Sequence, residues 1–84
     1  MYTILKIIFL KFENGFFMNG AHLFTSPREI SIPDDRNYAI TLPERRAREI
    51  LNQVCKEYGY ELQSATHESE AERKEYYYYL KKVS

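Results

Sequence analysis

Eighty-four residues can close over one thin core but not two, since a chain this short buries only roughly 60–65% of the surface its unfolded form exposes. Lys and Arg number 12, as do Asp and Glu, and each half of the chain is balanced within itself. That neutrality argues against a general nucleic-acid binder, whose affinity comes from cationic contacts to phosphate. It also removes the charge that keeps copies of a protein apart.

Cys55 is the single cysteine, so no intrachain disulfide forms, and a reducing, cytoplasmic setting is expected. Met1 to Lys11 is apolar enough to suggest a targeting segment. Lys6 and Lys11 interrupt it, however, and no small-residue cleavage site follows. No stretch approaches the ~20 apolar residues of a membrane helix.

Residues 2–12 read as a strand. Tyr2, Ile4, Ile8, Leu10 and Phe12 share one parity, and Leu5, Ile7 and Phe9 the other. Both faces are apolar, which predicts a central strand covered on both sides. A buried helical segment is the alternative, against which the β-branched and aromatic content and the following turn argue. Asn14-Gly15 predicts a hairpin, with Phe16-Phe17-Met18 as a short return strand and Asn19-Gly20 as a second turn. Residues 21–27 are ambiguous, and Ser26-Pro27 breaks regular structure. Ile30 and Ile32 alternate, as do Tyr38, Ile40 and Leu42. The turn chemistry of Pro33-Asp34-Asp35-Arg36-Asn37 between them predicts a second hairpin.

Thr41-Leu42-Pro43-Glu44 matches a capping box. Ala47, Ile50, Leu51, Val54, Cys55 and Tyr58 follow at helical spacing, and Gly59 suits the residue just past a helix end. One amphipathic helix over about residues 42–58 results. Tyr60 to Thr66 alternates as a strand, His67 to Lys74 is charged and reads as a loop, and Glu75 to Val83 closes the chain as a strand. The whole, residues 1–84, is expected to be a single α+β domain. Its single amphipathic helix packs on a mainly antiparallel sheet of about four to six short strands.

Four consecutive tyrosines, Tyr76, Tyr77, Tyr78 and Tyr79, lie in that last strand. Neighbours in a strand point to opposite faces. One pair therefore goes under the helix, and the other forms an aromatic surface on the far side. Strand propensity and cross-strand packing account for part of the run. The exposed pair suits a protein interface, where tyrosine is enriched, or the stacking of bases. Arg45, Arg46 and Arg48 suit a solvated helix face with ion pairs Glu44–Arg48, Arg45–Glu49 and Arg46–Glu49. Arg45 and Arg46 also sit near the first turn, where the helix dipole disfavours cations. Arg45, Arg46 and Arg48 are therefore candidate binding residues, for an acidic partner or for Glu68, Glu70 and Glu72.

Cys55 lies on the apolar helix face and reads as a buried thiol. His22 and His67 are isolated, no Cys/His spacing suggests zinc, and no phosphate-loop or hydrolase motif is present. Asp34-Asp35 reads as turn chemistry. No catalytic, metal or cofactor site is expected.

Leu51-Asn52, Tyr58-Gly59-Tyr60-Glu61-Leu62 and Tyr78-Tyr79-Leu80-Lys81-Lys82, after an apolar first strand, resemble a family of short uncharacterised bacterial and phage proteins. The resemblance covers about residues 48–82 and the first strand, with residues 13–41 departing from the family outline. It implies a small helix-on-sheet fold and carries no functional residues. Together these features predict a non-catalytic protein-binding module, homodimeric, of the kind phages and mobile elements direct at host factors. A single-strand nucleic-acid or nucleotide binder using the sheet tyrosines and helix arginines is the alternative. A ribonuclease-like toxin ranks below both, because such proteins are usually strongly basic.

Overall fold

The computed structural model describes residues 3–25, 28–33 and 39–83. Elements follow in the order β1 (Thr3–Phe12), β2 (Gly15–Thr25), β3 (Arg28–Ser31), α1 (Pro43–Tyr58), β4 (Tyr60–Ser69) and β5 (Arg73–Lys82). The strands form one antiparallel sheet in the order β3-β2-β1-β5-β4. The protein is thus α+β, with β1 at the centre as expected, although the expected cover on both its faces is not found: α1 lies over one face only.

Alternation sorts β1 cleanly. Leu5, Ile7 and Phe9 are buried beneath α1, whereas Ile4, Ile8 and Leu10 occupy the opposite face and are half-buried. Ala47, Ile50, Leu51 and Val54 form the helix stripe that meets them. Ala21 and Leu23 of β2, with Tyr76, Tyr78 and Leu80 of β5, complete the core. Phe9 and Tyr76 meet edge to face, with ring centroids 5.8 Å apart. Such a pair adds about 0.5–1.5 kcal/mol beyond its buried area.

Several expected boundaries differ. Asn19-Gly20 is not a turn, because β2 runs unbroken through it. Ile8 pairs with Gly20 and Phe9 with Met18, which leaves Asn19 as an extra residue at a register shift. The inserted residue inverts parity along β2. Phe16 and Met18 face the helix before it, Ala21 and Leu23 after it. The first turn also sits one residue early: Phe12 pairs with Gly15, so Glu13-Asn14 forms the loop, with Glu13 at φ 53°. Gly15 serves another purpose. A Cβ there would lie 2.9 Å from that of Ala39, so its absence lets the 39–40 segment close on β2.

The second expected hairpin is replaced by pairing with β2. Ile30 pairs with Leu23 in β3, and Ile32 N–H donates to Ala21 O at 2.8 Å. Phe16 and Ile40 exchange two backbone hydrogen bonds, 2.8 and 2.7 Å. The β3 strand and this bridge together cover the outer edge of β2. The expected break at Ser26-Pro27, the turn residues Asp34 to Asn37, Tyr38 and Tyr2 lie outside the described residues.

The capping box does not form. Pro43 begins the helix and Leu42 is its N-cap, with no side-chain hydrogen bond to the first turn. Thr41 is therefore one residue too far upstream. The other end behaves as expected: Gly59 adopts φ 74°, ψ 44°, and its N–H donates to Cys55 O at 3.1 Å. The expected loop over residues 67–74 is mostly strand. The β4 strand reaches Ser69 and β5 begins at Arg73, so charged side chains stand on an exposed hairpin arm. No helix is long and apolar enough to cross a membrane among the described residues.

Candidate binding surfaces

The seven candidate residues divide between three environments. Tyr76 and Tyr78 point under α1, 8% and 4% exposed. Burial pushes both hydroxyl pKa values up, and Glu44 adds to the effect at each. Tyr77 and Tyr79 point to the face that α1 does not cover. Arg46 is turned into the structure beside Ile40 and Thr41, 9% exposed, with its guanidinium 3.7 Å from Glu49. Arg45 and Arg48 line an adjoining groove with Tyr76, Arg45 also bordering the pocket around Arg46.

The uncovered face is built by alternation from all five strands. Strand register places Glu29, Phe24, Ile4, Tyr79 and Ser64 in one row across it, apolar at its centre and polar at its β3 and β4 ends. The next row holds Ser31, His22, Lys6, Tyr77 and Thr66. Ile8 and Glu75 follow, then Phe17, Leu10 and Arg73. Phe12 lies beyond, 60% exposed, with its ring edge-on to Phe17 at 5.7 Å. The result is a polar middle between two apolar bands.

Glu75 organises the middle. Tyr77 Oη donates to its Oε1 at 2.8 Å, Arg73 Nε lies 3.3 Å from Oε2 and Lys6 Nζ is 3.8 Å from Oε1. These partners hold the carboxyl below its ordinary range, the Tyr77 hydrogen bond first and that of Arg73 second. The Tyr77 hydroxyl is pushed up to about 12, first because ionising it would lose that bond, then by desolvation and by the neighbouring Glu75 charge. His22 Nδ1 sits 3.2 Å from Glu29. Cations Lys6, Arg73 and Lys81 therefore share this face with carboxylates Glu29, Glu61, Glu68 and Glu75, and the surface has no basic excess. His22 and Phe24 of β2 belong to this face but were not singled out from sequence, because the Asn19 shift hid the parity of their strand.

The groove lies on the helix side, between α1 and the β4–β5 hairpin. It measures about 710 Å³ and is lined by Leu42 to Arg45, Arg48, Glu49, Asn52, His67, Ser69, Lys74 and Tyr76. A helix spans about two strands, so α1 leaves the hairpin arm open beside it. His67 lies near-parallel to Tyr76, 25° between planes and 6.1 Å between centroids. Lys74 Nζ donates to Ser69 Oγ. Of the three predicted helix ion pairs, Arg46–Glu49 forms. Among the described residues, Arg45 and Arg48 make no ion pair. Glu68, Glu70 and Glu72 are not part of the groove, because the strand carries Glu68 to the opposite face.

Cys55 is half-buried against the core rather than fully enclosed, and burial raises its pKa. Among the described residues no three His, Cys, Asp or Glu side chains converge as a metal would require. Comparison with known protein families, curated proteins and solved structures finds no match.

Proposed function

We propose that the chain is a non-catalytic protein-binding module that works as a homodimer, the uncovered sheet face of one copy closing that of the other. The observation that carries this reading is the banding of that face. An apolar–polar–apolar pattern is self-complementary across a two-fold axis lying in the interface plane, whether the axis runs along the strands or across them. Apolar bands meet apolar bands either way, as an isologous contact requires.

Size supports the same reading. Four long strands spaced ~4.8 Å apart and rising ~3.3 Å per residue, with the short β3, present about 700 Å² of face. Two copies would cover about 1,400 Å², inside the roughly 1,200–2,000 Å² of stable interfaces. Sheets stacked in this way sit ~10 Å apart, with their side chains interdigitating. The lack of basic excess disfavours a nucleic-acid strand as the occupant.

Light scattering after size-exclusion chromatography tests the proposal. The 10.1 kDa chain is expected to run at twice its mass, and Ile8→Lys to run at the chain mass with its helix intact by circular dichroism. A parent chain that stays at its single mass at hundreds of micromolar refutes the reading.

A further inference from the structure

The geometry points to the groove between α1 and the β4–β5 hairpin as a binding site for a small phosphate-bearing ligand with a planar ring, the chemistry of a mononucleotide. This site is on the helix side of the sheet and is independent of the self-association face.

Arg45 and Arg48 are three residues apart, so they stand on one side of α1, and both line the groove. Lys74 enters from β5 on the opposite wall. The acidic lining residues are Glu44 and Glu49, and Glu49 is engaged by Arg46 at 3.7 Å. Three cationic side chains thus line the groove with one carboxylate, Glu44, that makes no ion pair among the described residues, and Lys74 Nζ lies also over the Phe16 ring. Guanidinium groups donate paired, charge-assisted hydrogen bonds to phosphate oxygens, and Arg45 and Arg48 have no such acceptor within the described residues.

The second half of the ligand follows from the far wall. His67 is exposed on β4, with its inner face laid along Tyr76. Both rings line the groove, and an aromatic wall accepts any base because each has a π-face. A cavity of about 710 Å³ falls within the roughly 300–1,000 Å³ of small-molecule sites. The excess of cations in the groove contrasts with the excess of carboxylates on the uncovered face, so an anion is drawn to the former.

The test is titration of the full chain with AMP, adenosine and inorganic phosphate separately at low ionic strength, followed by backbone amide NMR. AMP is expected to saturate and to bind at least tenfold more tightly than adenosine or phosphate, with shifts confined to residues 42–52 and 67–76. Added salt should weaken it. The Arg45→Gln/Arg48→Gln variant should lose AMP affinity at least tenfold, and His67→Ala should bring AMP down to the level of phosphate. Both substitutions are at exposed positions, and unchanged thermal melts would confirm that the fold survives. No saturable binding of AMP at millimolar concentration overturns the proposal. So does phosphate binding as tightly as AMP, binding indifferent to the arginine variant, or shifts centred on Tyr77 and Tyr79.

Discussion

Tyr78 and Tyr79 are adjacent in one strand, and replacing each with alanine separates the two faces of the sheet. Both substitutions delete the same atoms. They forfeit nearly the same strand propensity and alter the unfolded chain in nearly the same way, so these effects cancel in the comparison. The environment remains. Tyr78 is 4% exposed between β5 and α1, and large aromatic-to-alanine changes in cores cost about 3–5 kcal/mol. An 84-residue domain at ~0.05–0.15 kcal/mol per residue has about 4–13 kcal/mol in total. Tyr78→Ala thus removes between a quarter and all of the stability. With a urea m-value of ~1.5 kcal/mol/M, the midpoint falls by about 2–3 M.

Tyr79 is half-buried on the uncovered face, so its loss within one chain costs about 1 kcal/mol. At a dimer interface an aromatic anchor is worth ~2 kcal/mol or more, about a thirtyfold change in dissociation constant. The assay is urea unfolding at two protein concentrations a hundredfold apart, with sedimentation velocity alongside. Dimer stability rises with concentration by mass action, so the parent midpoint should move with concentration and that of Tyr79→Ala should move less. Equal losses from both variants at every concentration would refute the assignment of faces. So would a folded Tyr78→Ala that has lost only its association.

Other consequences are local. Gly59→Ala should destabilise by about 1–2 kcal/mol in denaturant titrations, because the left-handed backbone at φ 74° penalises a Cβ. Leu42→Asp should stabilise by about 1 kcal/mol in the same assay, since the present N-cap contributes no side-chain hydrogen bond. Glu75 has a folded pKa below its unfolded value. Its contribution is therefore fully present at neutral pH and is lost as pH falls from about 4.5 through the lowered folded value; Glu75→Gln should flatten that part of the stability–pH profile. Tyr77 has the opposite sign. Its folded pKa of about 12 lies above the unfolded 10, so its contribution holds below pH 10 and is lost as pH rises through 12. Absorbance titration at alkaline pH should show Tyr77 titrating late together with the buried Tyr76 and Tyr78, and Glu75→Gln should move only the Tyr77 component earlier.

What could be read in advance divides along the range of the forces involved. The α1 helix was legible because its stripe repeats every three to four residues over four turns and ends at Gly59, all of it local. The central position of β1 was legible because both its parities are apolar. The course of β2 was not. Asn19-Gly20 has the composition of a turn, and the parity change across it imitates the end of a strand. Only pairing with β1, which absorbs Asn19 as an extra residue, keeps the strand whole. The β4–β5 arm was hidden differently. His67 to Lys74 is charged on both parities, because neither face of β4 is covered there, and a strand without a buried face has no apolar alternation to betray it.

The same absence of cover explains how the candidate residues were sorted. Sequence placed the tyrosines at alternating parity but could not decide which pair met the helix, since all four side chains are alike. The decision comes from their neighbours across the sheet. Tyr76 and Tyr78 pair with Ile7 and Leu5, Tyr77 and Tyr79 with Lys6 and Ile4. Of the two lysines of β1, Lys11 is exposed near the strand end, whereas Lys6 lies among the apolar residues and marks the uncovered face: under a helix it would need a buried partner, and here Glu75 and the Tyr77 ring lie beside it. Lys6 thus marks which parity of β1, and of β5 paired with it, faces away from the helix. Lys6→Leu, which erases that mark, should leave the fold in place while strengthening self-association and reducing solubility, measurable as a fall in dissociation constant by sedimentation. A decrease in association would mean that the Lys6–Glu75 pair joins the two copies rather than merely marking the face between them.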